Sequence, residues 1–290
     1  MSIIERNYFE SSEFQHLCLG KHTSVFRGAV ADWPAVNKWS LDFFAQSYPN
    51  IPIVTKIFGQ EGIKSKNMSM GQYASIIGKL KISQDEKKNR SIPYCHDVPI
   101  FLLEKALLND IGWFPSEVLP DWYAKNWSRY AQFFVSNKGN VTPLHFDTLL
   151  THNLFFQIKG EKVFTIIHPR DGRYCYRKGW RWFDVDPDNP DYDKFPDFKH
   201  AKVEHITVRS GDIFYMPPGT LHQVRSLDDG ISFNVDFHTL NSVFQSFLGC
   251  FKGMPLVNLR YNSQVFKALS LGDGNDQCFE RYKSYLNYIS

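Results

Sequence analysis

Between Ala131 and Phe237 the chain is a succession of short apolar or alternating runs, each stopped by Gly, Pro or Asn. Ala131-Gln132-Phe133-Phe134-Val135-Ser136 ends at Asn137-Lys138-Gly139-Asn140. Asn153-Leu154-Phe155-Phe156-Gln157-Ile158 leads through Lys159-Gly160-Glu161 into Lys162-Val163-Phe164-Thr165-Ile166-Ile167, a spacing that predicts a hairpin. Ile231-Ser232-Phe233-Asn234-Val235-Asp236-Phe237-His238 alternates, which fits one buried side and one wet, site-facing side. So many short strands in so little chain must stack or close on themselves, so a β-sandwich or barrel is expected, with any site near its mouth.

Around this region the pattern changes. Residues 1–128 mix short strands and amphipathic helices, including a capping Ser40 before Leu41-Asp42-Phe43-Phe44 and a strand-like Ile51-Pro52-Ile53-Val54-Thr55-Lys56-Ile57-Phe58. Ser83-Gln84-Asp85-Glu86-Lys87-Lys88-Asn89-Arg90 reads as an exposed polar loop or helix end. Beyond Thr239 the period turns helical. The expected organisation is an N-terminal mixed α/β region (1–128), a catalytic core (129–240) and a C-terminal helical region (241–290).

The chemistry is concentrated in His145, Asp147 and His222. On a strand, residues i and i+2 share a face, so His145 and Asp147 project together. His222 follows Gly211-Asp212, an apolar run and a Pro217-Pro218-Gly219 turn, as where one strand ends and another begins. Two histidines and one carboxylate form the facial set that non-heme Fe(II) oxygenases use, leaving positions open for a co-substrate and oxygen. A His-x-Asp triplet alone carries little weight, since this composition produces about one by chance.

Bulk properties narrow the rest. Hydrophobic residues make up 43% and aromatics 16%, enough for a sizeable core. A net charge of +3 does not argue for nucleic acid by itself. The five cysteines, Cys18, Cys95, Cys175, Cys250 and Cys278, are widely spaced without a CxxC pair, as expected of reduced thiols. With no signal-like or membrane-length apolar run, a cytoplasmic location without membrane association is expected.

Several ordered segments carry a resemblance. They are Gly139-Asn140-Val141-Thr142-Pro143-Leu144-His145-Phe146-Asp147, Phe155-Phe156-Gln157-Ile158-Lys159-Gly160-Glu161-Lys162, Asp188-Asn189-Pro190-Asp191-Tyr192 and Gly211-Asp212-Ile213-Phe214-Tyr215-Met216-Pro217. With Phe26-Arg27-Gly28-Ala29-Val30-Ala31-Asp32-Trp33-Pro34 upstream, the chain over about residues 22–240 resembles the JmjC-type, cupin-like 2-oxoglutarate oxygenases. It is similar there to the factor-inhibiting asparaginyl hydroxylase group. The resemblance implies a double-stranded β-helix (jelly-roll) with helices packed outside. It implies His145, Asp147 and His222 as Fe(II) ligands, with 2-oxoglutarate and O2 as co-substrates. Thr142 and Lys162 match positions that grip the distal carboxylate of 2-oxoglutarate, and an inward lysine is expensive unless it meets an anion.

The pattern departs from the family at two places. Asn153 matches the asparagine after the triplet only with about two residues inserted around Leu149 to Thr151. Asp236 falls where an asparagine commonly sits near the co-substrate, with Asn234 two residues earlier on the same face. An ionised Asp236 beside a carboxylate would be repulsive, leaving it protonated, turned away or working on substrate. All three are carried as candidate co-substrate contacts.

The substrate is less legible. Arg173-Tyr174-Cys175-Tyr176-Arg177-Lys178-Gly179-Trp180-Arg181-Trp182-Phe183 is basic and aromatic, open to an acidic peptide, to stacked RNA bases or to packing as an ordinary loop. The resemblance implies a protein, peptide or amino-acid substrate first, and a small molecule or modified tRNA nucleoside as the alternative. A metal-binding cupin without oxygenase activity is a further class. The apolar tail residues Phe244, Phe247, Leu248, Phe251 and Leu256 either cover the barrel's end or form a homodimer contact.

Overall fold

The computed structural model describes residues 3–59, 62–82, 92–271 and 275–286, so the polar stretch Ser83 to Arg90 lies outside the described residues. The strands begin with β1 (Ile4–Arg6), β2 (Ser24–Phe26), β3 (Pro52–Gly59), β4 (Gly62–Ser69), β5 (Tyr94–Val98) and β6 (Ala131–Ser136). Then come β7 (Val141–His145), β8 (His152–Lys159), β9 (Lys162–Ile167), β10 (Arg177–Lys178) and β11 (Trp182–Phe183). The last are β12 (Val203–Val208), β13 (Ile213–Met216), β14 (Leu221–Ser226) and β15 (Gly230–Phe237).

They form two sheets. The larger runs β1-β2-β13-β8-β15-β6-β5-β3-β4 and the smaller β10-β11-β7-β14-β9-β12. From β6 to β9, and again from β12 to β15, the chain crosses between the sheets, which is the jelly-roll winding expected from the sequence. The N-terminal strands join directly: β5 pairs with β6, and β2 with β13.

The expected hairpin of β8 and β9 is corrected by this winding. β8 pairs with β13 and β15 in the larger sheet, whereas β9 pairs with β12 and β14 in the smaller one. The strand boundaries and the turn at Gly160 were legible, but a short turn can also carry a chain around a barrel corner. Gly160 has φ +75°, and a Cβ there would stand 2.4 Å from the Asp229 carbonyl oxygen, so the corner needs glycine.

Burial on both faces of β8 explains its near-continuous apolar run. Phe156 stacks with Trp33 at 5.5 Å and with Phe233 at 4.8 Å on the side covered by the N-terminal helices. Phe155 points the other way, against Phe164, into the space between the sheets. Burying each such ring stabilises the fold by about 2 kcal/mol.

Ser40 caps the helix Leu41–Ser47 as expected, accepting from the Phe43 amide at 3.0 Å. After β15, Thr239 and Ser242 form a capping box for the helix Leu240–Leu248. Helices Leu256–Leu271 and Asn275–Tyr282 follow. Val243, Val265, Ala268 and Tyr282 pack into the core, while Phe244, Leu248, Phe251 and Leu256 are exposed. All five cysteines are unpaired. No helix among the described residues is long and apolar enough to cross a membrane.

Candidate metal centre

His145 ends β7, and its register partner on β14 is His222, so adjacent strands hold the two imidazoles side by side, 4.2 Å between ring centres. Asp147 lies just beyond the end of β7, where the chain leaves the sheet. Its Oδ1 is 3.8 Å from His222 Nε2. One ligand atom from each of His145, Asp147 and His222 lies within 4.8 Å of the others.

Both imidazoles are fixed from behind. Nδ1 of His145 faces the Pro143 carbonyl at 2.7 Å, and Nδ1 of His222 faces the Thr220 carbonyl at 3.1 Å. Nδ1–H therefore donates to the backbone in each, leaving the Nε2 lone pair for a metal. Burial, then His222 and Arg181, hold His145 well below the usual histidine pKa, so the neutral ligand form is favoured. Trp182, opposite His145 on β11, stacks on its ring at 4.9 Å. Asn153 donates to Asp147 Oδ2 at 3.3 Å, which steadies the carboxylate.

Thr142, Lys162, Asn153, Asn234 and Asp236 all line the cavity into which the three ligands face. Lys162 is 1% exposed. Its Nζ donates to Ser232 Oγ at 2.8 Å and to the Tyr94 hydroxyl at 3.1 Å, and the rings of Tyr94, Phe134 and Phe155 stand around it. No carboxylate pairs with it among the described residues, and burial pushes its pKa down to about 7. A buried amine surrounded by hydroxyls and ring faces is poised for an incoming anion.

Asp236 is held toward its neutral form. Burial, followed by the charge of Asp147, pushes its pKa well above the usual range. Asn234 donates to its Oδ1 at 2.8 Å. Of the outcomes open from the sequence, burial favours the neutral form. The alternating face of β15 is as expected in direction, but Ser232, Asn234 and Asp236 are buried in the cavity instead of lying at an open wet surface.

Other lining groups were not anticipated. Ser232 was in reach, because it shares the face of Asn234 and Asp236 at the strand period. Tyr94, Lys56, His96 and Asp97 come from β3 and β5, outside the expected core. Arg181 comes from the basic aromatic stretch, so part of that stretch faces the cavity. Tyr285 arrives from the tail, held among Tyr261 and Tyr282 by ring contacts at 5.5 and 5.4 Å, and no local pattern marks it.

The cupin-like domain model matches residues 11–242, most of the chain. The chain belongs to the JmjC-type, cupin-like family. Human tRNA wybutosine-synthesizing protein 5 is 26% identical over 247 residues, covering 79% of this chain and 75% of that protein. JmjC domain-containing protein D of Dictyostelium discoideum is 26% identical over 232 residues, covering 72% and 50%. Lysine-specific demethylase 8 of Xenopus tropicalis is 22% identical over 236 residues, covering 77% and 49%. The chain spans about half the length of the last two relatives. Tyr285 lies beyond the matched domain.

Proposed function

We propose that this protein is an Fe(II)- and 2-oxoglutarate-dependent dioxygenase that hydroxylates a side chain of a protein, peptide or amino acid. The observation that carries this reading is the pairing of two sites in one cavity. His145, Asp147 and His222 converge their donor atoms, and Lys162 stands in the same cavity without an anionic partner among the described residues. The donor set fits iron, since two neutral imidazoles and one carboxylate leave a divalent ion three open positions. Bound Fe(II) would supply the oxidising chemistry, coupling O2 reduction and 2-oxoglutarate decarboxylation to hydroxylation.

The protein's own residues do the remaining work. Lys162, Tyr94, Ser232 and Thr142 would hold the distal carboxylate of 2-oxoglutarate, the lysine as ammonium. Asn153 orients Asp147, and the Pro143 and Thr220 carbonyls orient the histidines. Asn234 and protonated Asp236 offer neutral polar contacts to the co-substrate's inner end or to substrate. Phe155, Phe164 and Met216 line the cavity with apolar surface that limits water.

A second substrate reading, a modified tRNA nucleoside, is favoured by one comparison: the wybutosine-synthesizing relative matches over three quarters of its length. Anaerobic titration with Fe(II) and 2-oxoglutarate tests the common core of both. A visible charge-transfer band that needs both components and disappears in His145→Ala supports it. Absence of the band from folded, metal-loaded wild type would move the assignment to a non-oxygenase cupin.

We also propose the division 1–128, 129–240 and 241–290, a cytoplasmic location, and a homodimer through the tail. Phe244, Leu248, Phe251 and Leu256 support the dimer, because together they leave an apolar face open. A monomeric mass by light scattering removes it.

A further inference from the structure

Lys56 on β3 and His96 and Asp97 on β5 form a second polar cluster in the same cavity, unused by the metal or by the proposed co-substrate contacts. Lys56 Nζ donates to Asp97 Oδ2 at 2.6 Å, and His96 Nδ1 lies 2.8 Å from the same oxygen. Lys56 is 2% exposed. The pairing of β5 with β6 slips between Cys95 and Val98, and Asp97 within that slip has φ 57°. This bulge turns two consecutive side chains toward one cavity, where a regular strand would send one to each face. A left-handed aspartate and a buried ion pair both oppose folding, and such features concentrate where a ligand is handled.

Each partner keeps unused hydrogen-bonding capacity. Lys56 gives one N–H to Asp97 Oδ2, and His96 Nδ1 lies close to the same oxygen but has no hydrogen-bond partner among the described residues. The other ammonium hydrogens of Lys56 and Asp97 Oδ1 have no further partner among the described residues. Burial keeps His96 neutral at physiological pH, with its pKa pushed down to about 4. The cluster is therefore a zwitterion of no net charge offering donors and an acceptor side by side.

We propose that the Lys56–Asp97 pair is a substrate-recognition subsite for a neutral planar group with adjacent hydrogen-bond donor and acceptor, an amide or lactam edge. A cation would meet Lys56 and an anion would meet Asp97, whereas an amide satisfies both ions at once. Flat rings frame the place: Phe58 and Phe134 lie 5.7 and 4.8 Å from His96, and Phe58 reaches Trp182 at 6.0 Å. The inference rests on the proposed function only in taking this cavity as the substrate's.

The test is an NMR titration of the protein in Zn(II) and 2-oxoglutarate under nitrogen. Co-substrate binding is read first, so failure of the oxygenase reading is seen before any probe is added; the titration is then run on the metal-free protein. The probes are 2-pyridone (lactam), propionamide (carboxamide), N-methyl-2-pyridone, propylammonium and propionate. The comparison protein is Lys56→Met/Asp97→Asn, which leaves no lone buried charge and places at position 97 a residue that accepts positive φ. Its fold is checked by near-ultraviolet circular dichroism. Either amide probe should bind wild type, at least tenfold tighter than the double variant, with N-methylation weakening 2-pyridone by as much. Tighter 2-pyridone assigns the edge to a ring lactam, and tighter propionamide to a side-chain carboxamide. No amide binding, losses under tenfold, or stronger binding of either charged probe overturns the proposal.

Discussion

Lys162 makes a quantitative claim on stability. An unfolded lysine titrates near 10.5, and burial lowers this one to about 7. At about 1.4 kcal/mol per unit, that gap of roughly 3.5 units corresponds to about 5 kcal/mol of work against holding a proton on the folded protein. Between the two values the unfolded chain binds one more proton than the folded one, so stability rises with pH. The contribution is complete above the unfolded pKa and is lost as pH falls through the folded one. Lys162→Met keeps a similar length and removes the titration. Urea unfolding of both proteins at pH 7.5 and 9.5 should show wild type gaining about 2.5 kcal/mol relative to the variant. Binding a carboxylate must restore the ammonium, so 2-oxoglutarate should bind wild type more weakly as pH rises above 7 and take up about one proton at pH 8. Calorimetry in buffers of different ionisation heat reads that uptake. Parallel pH–stability curves for the two proteins would refute this view of Lys162.

Other consequences concern the ligands, the tail and the corner. Asn153→Ala removes the donor on Asp147 and should weaken Fe(II) binding about 10–100-fold, measured by competition with a chelator; unchanged affinity would show that Asp147 needs no support. Lys162→Ala should raise the 2-oxoglutarate concentration needed for succinate formation, while His145→Ala should abolish it; near-normal succinate in the latter sinks the ligand assignment. Ending the chain after Tyr282 removes Tyr285 from the cavity wall and should shift the chelate band in the still-folded protein; an unaltered band would place the tail outside the site. Gly160→Ala should destabilise by more than about 1 kcal/mol in urea, since positive φ and the Asp229 carbonyl both oppose a Cβ; a neutral result would contradict the corner geometry.

What could be read from the sequence, and what could not, follows from the range over which each signal acts. Apolar runs and the turns that stop them are local signals, so β6, β8, β9 and β15 are legible nearly to the residue, and the alternation of β15 places Asn234 and Asp236 on one face. Pairing is not local. The β8–β9 turn looks like a hairpin because the few residues around Gly160 do not reveal that the partner strands are β13, β14 and β15. The same limit hid half of the cavity. Lys162 is legible at the start of its strand, but the hydroxyl of Tyr94 that meets it comes from a residue 68 positions away. Tyr285 reaches the site from a helical tail whose pattern speaks only of packing.

This distribution separates two kinds of specificity. Strands β7 and β14, at whose ends His145 and His222 stand, pair with each other, and Lys162 on β9 pairs with β14 as well, so one small sheet would fix the proposed metal and anion sites relative to each other. The remaining walls come from the larger sheet and its β3–β5 extension, the β10–β11 excursion and the tail. Substitutions at Lys56, Asp97 or Arg181 can therefore change what enters the cavity without moving the strands that carry His145 and His222. Lys56→Met/Asp97→Asn tests that separation directly. It should leave the position of the chelate band within a few nanometres of wild type while discarding amide binding. A band displaced as far as by the loss of a ligand-supporting group such as Asn153 would mean that the two walls are mechanically one.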